Sequence, residues 1–197
     1  MKQKYLLTTL TSCLVFVLLS MTISPTDHKE EIEKRIKSDD VPEKALEFIC
    51  SIKEKKSKVK WYYEVSQNIT SYEAKFNYLK KLHSVEFDSL GEIQDVEIKI
   101  KFSEIPDSTS QNIKSYFNNT FKKYNVKKTQ LQLIGVIDDL KQAIENKKYQ
   151  DTTIHYEIEF YGKNDNENDL FEGYFSADGN FLSKKKIILQ SINNLNY

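Results

Sequence analysis

Residues 72–93 read YEAKFNYLKKLHSVEFDSLGEI, and residues 156–181 read YEIEFYGKNDNENDLFEGYFSADGNF. Both stretches begin with a Tyr-Glu strand that ends in Phe, and both end with the turn F-x-x-x-G-x followed by Ile or Phe. Each copy follows a segment that opens with an apolar residue and a proline, Val41-Pro42 and Ile105-Pro106, and proline suits the first turn of a helix. A repeated unit of one helix and several strands predicts two similar modules in tandem. The repeat predicts an architecture and does not indicate a chemistry.

Three segments have the apolar spacing of amphipathic helices, at about 42–55, 106–124 and 136–148. Elsewhere apolar and polar residues alternate with the period of two that a half-buried strand requires. The predicted strands lie at 59–65, 71–78, 82–87, 92–102, 129–134, 153–161, 170–176 and 180–189. Short connections favour antiparallel pairing, and one apolar face per strand leaves the other face to solvent. The sequence therefore predicts an α+β fold with helices on one face of an antiparallel sheet.

These elements divide the chain into consecutive parts. They are a signal peptide at 1–24, a polar N-terminal segment at 25–40, a first repeat at 41–104, a second repeat at 105–190 with an inserted helix at about 136–148, and a frayed tail at 191–197. We expect the polar segment to be a tether or to dock loosely, because few of its residues are apolar.

The N-terminus has the features of an export signal, since Lys2 and Lys4 precede an uncharged apolar run that ends near Ile23. A signal anchor is the alternative, because the run is long enough to span a bilayer. Cys13 closes a weak lipobox, but the apolar run continues beyond it, which disfavours a lipoprotein. Removal of the signal leaves only Cys50, so no disulfide can form within the chain. We expect a periplasmic or secreted protein with no membrane span after cleavage, and the sequence leaves its oligomeric state open.

Neither composition nor motifs indicate a reaction. The 29 basic residues balance the 29 acidic residues, so no net field attracts nucleic acid or an anionic membrane. The three histidines lack metal-ligand neighbours at helical spacing, and the acidic stretch 165–169 lacks the glycine and the final glutamate of a calcium loop. No nucleophile, zinc or phosphate-binding motif occurs. We predict no catalytic residue, no metal site and no cofactor.

The tandem pattern resembles the PepSY-like proteins of Bacteroidota, which are similar to the beta-lactamase-inhibitor-protein (BLIP) fold. The resemblance rests on the helix, the Tyr-Glu strand and the F-x-x-x-G turn of each copy, and it covers about 41–189. It implies two repeats joined into one curved antiparallel sheet. It also implies a secreted or periplasmic binding module, with a proposed role in restraining peptidases and no catalytic residues. The inserted helix at about 136–148 departs from the repeat.

The solvent face of the sheet is the candidate protein-binding surface, because tyrosine is favoured at interfaces and several tyrosines fall on this face. Strand alternation assigns to it Tyr62, Glu64, Glu73, Lys75, Glu157, Glu159, Tyr161 and Tyr174. The alternative interpretation is an ordinary solvated face whose tyrosines stack across strands.

The leading hypothesis is an exported, non-enzymatic protein that binds an unidentified protein through its sheet. A peptidase or another envelope enzyme is the partner class considered, with inhibition by steric occlusion. The alternative is a cystatin-like α+β domain that holds a small ligand or an active site in an apolar pocket between sheet and helix. Pocket volume distinguishes the two, because a filled core favours the protein-binding module.

Overall fold

The computed structural model describes residues 28–29, 32–52, 56–66 and 69–188. The predicted signal peptide at 1–24 and the predicted tail at 191–197 lie outside the described residues. No helix in the described ranges is long and apolar enough to cross a membrane.

Within these ranges, ten strands form a single sheet in the order β1-β10-β9-β8-β7-β6-β5-β4-β3-β2. The strands are β1 (His28–Lys29), β2 (Ile32–Ile36), β3 (Lys60–Ser66), β4 (Ile69–Tyr78), β5 (Lys81–Asp88), β6 (Ile93–Lys99), β7 (Lys123–Ile134), β8 (Thr153–Lys163), β9 (Asn168–Ser176) and β10 (Phe181–Ile187). All neighbouring strands are antiparallel except β1 and β10, which run parallel. From β3 to β10 each strand therefore pairs with the next one along the chain.

Three helices, α1 (Glu43–Ser51), α2 (Asp107–Thr120) and α3 (Ile137–Asn146), cover one face of the sheet. Each helix contributes an apolar stripe to the core, and the strands contribute every second residue. The core includes Phe48 of α1, Phe117 of α2 and Leu140 of α3, together with Val85 and Ile158 of the sheet. The observed elements confirm the predicted α+β class, with two tandem helix-and-sheet repeats that share one antiparallel sheet.

The turn glycine of each repeat packs on the start of the helix of the same repeat. Gly91 has φ of +80° and Gly179 has φ of +81°, a backbone conformation that favours glycine. A Cβ added to Gly91 would lie 2.8 Å from Pro42 Cβ, and one added to Gly179 would lie 2.3 Å from the backbone oxygen of Thr109. The two copies of the sequence pattern thus form the same local structure.

Helix α2 is shorter than the apolar spacing predicted. It ends at Thr120 rather than near Tyr124, because Phe121 adopts an extended backbone and β7 begins at Lys123. The ring of Phe121 occupies the space beside Gly162, where an added Cβ would lie 2.6 Å from it. This space exists only in the folded protein, so helical periodicity alone could not locate the end of α2.

The N-terminal segment pairs with both ends of the sheet. Strand β1 pairs with β10, while β2 pairs with β3 in antiparallel register from Ile32 to Ile36. This pairing is firmer than the tether or loosely docked segment expected for the polar residues, because it uses backbone groups and needs little apolar surface. Lys29 and Ile32 are three residues apart, which limits the distance between their Cα atoms to about 11 Å. Because Lys29 pairs with β10 and Ile32 pairs with β3, these two strands lie close together. The sheet is therefore strongly curved.

Candidate functional site

The inner face of the sheet, defined as the face opposite the helices, is concave and encloses a cavity of about 390 Å³. We call this cavity the acidic groove, because eight glutamates and three lysines line it. The charged and polar residues that line it are Glu33, Glu64, Glu73, Lys75, Ser84, Glu86, Glu97, Lys99, Lys128, Gln130, Glu157, Glu159 and Glu172. They come from every strand between β2 and β9. Curvature of the sheet thus gathers into one groove side chains that are far apart in the sequence.

Five of the eight predicted binding residues line the acidic groove, namely Glu64, Glu73, Lys75, Glu157 and Glu159. Three of these carboxylates are almost completely buried: Glu64 is 9% exposed, Glu73 4% and Glu157 3%. Burial of charged residues on a face that was predicted to be solvent-exposed follows from the curvature of the sheet. A flat protein surface could not touch these side chains, so only a protruding group can reach them.

The three predicted tyrosines lie outside the lining of the groove. Tyr62 is half-buried, with the Lys75 ammonium 4.7 Å from the centre of its ring. Tyr174 donates a hydrogen bond of 2.8 Å to Glu172 Oε2. Tyr161 is 46% exposed. None of the three tyrosines is among the residues that line the acidic groove.

Several groove residues were missed by the selection from sequence. Glu86, Glu97, Gln130 and Glu172 all line the groove. Glu97 alternates with the apolar Val96 and Ile98 along β6. Strand alternation therefore could have assigned Glu97 to the same face as the predicted binding residues. The eight predicted residues lie on β3, β4, β8 and β9, and none lies on the central strands β5, β6 and β7.

Two of the three groove lysines, Lys75 and Lys128, form ion pairs with its carboxylates. Lys75 Nζ lies 2.6 Å from Glu73 Oε2 and 3.2 Å from Glu33 Oε1, and Lys128 Nζ lies 2.9 Å from Glu159 Oε1. Burial alone would lower the pKa of both lysines, but the neighbouring carboxylates outweigh it and raise both pKa values. A cation inside the groove is therefore stabilised in its charged form.

The raised pKa of Glu97 is the clearest sign of excess negative charge in the groove. Burial and, to a smaller extent, the carboxylates of Glu86 and Asp95 together raise its pKa to about 8, although a hydrogen bond with Glu157 opposes them. Burial raises the pKa of Tyr174 well above its ordinary value, and the negative charges of Glu157 and Glu172 act in the same direction. The centre of the groove thus holds more carboxylates than its own lysines neutralise.

Within the part of the chain that the structure describes, two sets of three carboxylates come close enough to share a cation. Their nearest oxygens lie within 4.8 Å of one another in Glu33, Glu64 and Glu73, and likewise in Glu86, Asp95 and Glu97. Both sets lie on the inner face. Neither includes the acidic stretch 165–169 that was considered from the sequence.

Comparison with known proteins identifies the fold. No family model matches the chain, and no curated protein is similar to it. A DUF2874 family protein from Bacteroides ovatus superposes with a TM-score of 0.52 and 13% identity, over 79% of this chain and 94% of that protein. A Bacteroides eggerthii protein with a proposed periplasmic location has a TM-score of 0.51 and 13% identity, over 79% and 94% of the two chains.

A BLIP-like protein from Bacteroides fragilis has a TM-score of 0.49 and 10% identity, over 80% of this chain and 92% of that protein. None of these three structures is described as PepSY-like, so that part of the predicted resemblance stays a prediction. The chain has the fold of the Bacteroides ovatus and Bacteroides eggerthii proteins, so the predicted resemblance to proteins of Bacteroidota is confirmed as a resemblance of fold.

Proposed function

We propose that this protein is an exported, non-enzymatic binding module that takes a basic, protruding segment of another protein into the acidic groove. The observation that carries the proposal is the set of eight glutamates in one concave cavity, several of them almost fully buried. Eight glutamates face three lysines in the groove, and removing negative charge from water is costly unless positive charge compensates it, so the groove favours a cationic group.

The geometry favours a side chain on a loop as the bound group. A lysine or arginine at the tip of a loop reaches buried carboxylates, and arginine additionally forms paired hydrogen bonds with a carboxylate. The tyrosines at positions 62, 161 and 174 lie on the same face of the sheet as the groove, and Tyr161, the most exposed of them, offers apolar area and a hydroxyl group to the rest of the partner. The protein partner is thus recognised by charge inside the groove and by aromatic contacts around it.

The predicted signal at 1–24 supports a periplasmic or secreted location, where a partner is an envelope or extracellular protein. A peptidase or another enzyme with a basic loop near its active site fits the groove. Such an enzyme would be inhibited by steric occlusion alone, since the proposal assigns no reactive group to this protein. Inhibition is tested separately from binding, by an activity assay of the captured enzyme with and without this protein.

A small cationic ligand is the second candidate, favoured by the volume of about 390 Å³, which is in the range of small-molecule sites. The cystatin-like version of this idea has less support. It needs an apolar pocket between sheet and helix, whereas the pocket between β5 and α3 near His83 measures about 10 Å³.

The proposal is tested by capture of binding proteins from the native envelope fraction, with the chain from residue 25 as bait. The groove variant Glu64→Gln/Glu159→Gln removes two negative charges from the inner face. The matched control Glu47→Gln/Asp138→Asn removes two from exposed positions on the helices. We expect one protein to be captured by wild type and control, lost by the groove variant and released by salt. Equal capture by all three folded baits would refute the proposal.

A further inference from the structure

Three carboxylates on the inner face converge near the acidic groove, and two of them, Glu86 and Glu97, line it. Glu86 on β5 and Asp95 on β6 are direct partners across the two strands, and Glu97 follows Asp95 on the same face of β6. Their nearest oxygens lie within 4.8 Å of one another, which is close enough for a single ion to contact all three. Asp95 and Glu97 are 8% and 6% exposed, so bulk water separates these charges poorly.

Gln130 on β7 supplies an independent observation at the same place. Its side chain is 5% exposed and lines the groove. The amide nitrogen Nε2 donates a hydrogen bond to Glu97 Oε2, while the amide oxygen Oε1 has no donor among the described residues. A buried carbonyl oxygen without a donor destabilises the fold, and such an oxygen calls for an explanation in a native structure. A cation beside Glu97 would satisfy it.

We propose that Glu86, Asp95, Glu97 and the amide oxygen of Gln130 bind a hard divalent cation, with Ca²⁺ preferred over Mg²⁺. Every donor is an oxygen, and no histidine or thiol belongs to the cluster, which disfavours Zn²⁺. Ca²⁺ accepts mixed carboxylate and amide ligands in irregular geometry, whereas Mg²⁺ demands a near-ideal octahedron and keeps its water.

The charges around the cluster support a bound cation. Lys128 lowers the pKa of Glu97 only weakly compared with the carboxylates around it, and its ammonium forms an ion pair with Glu159. Burial and the neighbouring carboxylates also raise the pKa of Glu97, as expected where negative charges crowd together. This site goes beyond the proposed protein binding and does not depend on it.

Calorimetric titration of the purified, EDTA-treated protein with CaCl₂ or MgCl₂ at constant ionic strength tests the site. We expect one Ca²⁺ per chain, with a Kd of about 0.1–1 mM as in other extracellular modules, a rise in Tm on Ca²⁺ addition, and at least about tenfold weaker Mg²⁺ binding. Asp95→Asn and Gln130→Leu should each weaken Ca²⁺ binding by about tenfold or more.

The control variants separate this cluster from its surroundings. Glu64→Gln alters the other carboxylate set on the inner face, and Asp138→Asn removes an exposed charge from α3. Both should bind Ca²⁺ as the wild type does, and circular dichroism and the Tm of the EDTA-treated form show which variants are folded. Absence of Ca²⁺ binding up to about 10 mM, or binding that is lost in Glu64→Gln but kept in Asp95→Asn and Gln130→Leu, would overturn the proposal.

Discussion

Replacement of Glu97 by glutamine should remove a pH-dependent loss of stability. Burial and the nearby Glu86 and Asp95 raise its pKa from 4.5 to about 8 in the folded protein. The folded state therefore holds the Glu97 proton more tightly than the unfolded state does. This contribution stabilises the protein fully below pH 4.5 and is lost as the pH rises through about 8.

The expected change in the free energy of unfolding follows from the change in the pKa of Glu97. One pKa unit corresponds to about 1.4 kcal/mol, so the rise to about 8 is worth at most about 5 kcal/mol. Part of it is repulsion shared with the neighbouring carboxylates, and we expect about 2–4 kcal/mol for Glu97 alone. Glutamine has the same shape and no charge, so Glu97→Gln should gain this amount relative to wild type between pH 5 and pH 9.

Urea unfolding in EDTA at pH 5, 7 and 9 measures the difference in free energy of unfolding between wild type and variant. Glu47→Gln on the exposed side of α1 is the control, and its difference from wild type should not change with pH. A Glu97→Gln difference that is constant within about 0.5 kcal/mol across this range would refute the conclusion that the carboxylates of the groove repel one another.

Three further predictions concern the core and the turns. Gly179→Ala should lose about 3 kcal/mol of unfolding free energy, because its positive φ and the Thr109 oxygen at 2.3 Å leave no room for a Cβ; urea unfolding with a loss below about 0.5 kcal/mol would contradict this. Phe117→Ala should lose about 3–5 kcal/mol, since its ring contacts the rings of Tyr124, Phe160 and Phe175, and a far smaller loss would indicate a looser core. Burial lowers the pKa of His83, so the wild type should lose stability as the pH falls below about 6.5; thermal unfolding of His83→Phe should show a weaker acid dependence, and an unchanged one would exclude His83 as its source.

Strand alternation predicted the two faces of the sheet correctly where strands are long and regular. In β6, Val96 and Ile98 are buried in the core as expected, and Glu97 lies on the opposite face. The burial of Glu97 was not predictable, because its sequence neighbours are those of an exposed strand face. It results from curvature of the sheet, which depends on strands that are distant in the chain.

The N-terminal strands illustrate a second limit. Residues 32–36 are bonded to β3 through the backbone, and this pairing leaves little trace in the pattern of side chains. The same segment shapes the groove, because Glu33 of β2 lies 3.2 Å from Lys75 of β4. A segment predicted as a tether thus contributes to the candidate site.

The most direct test of the central proposal is site-specific photo-crosslinking to the captured partner. A photoreactive amino acid replaces Tyr62 or Tyr174 on the inner face, or exposed Gln111 on α2 as the control. If a basic segment of the partner enters the acidic groove, the partner should crosslink at Tyr62 and Tyr174 and not at Gln111, and the crosslinked peptide should contain lysine or arginine. Crosslinking at Gln111 alone, with capture intact, would contradict the account.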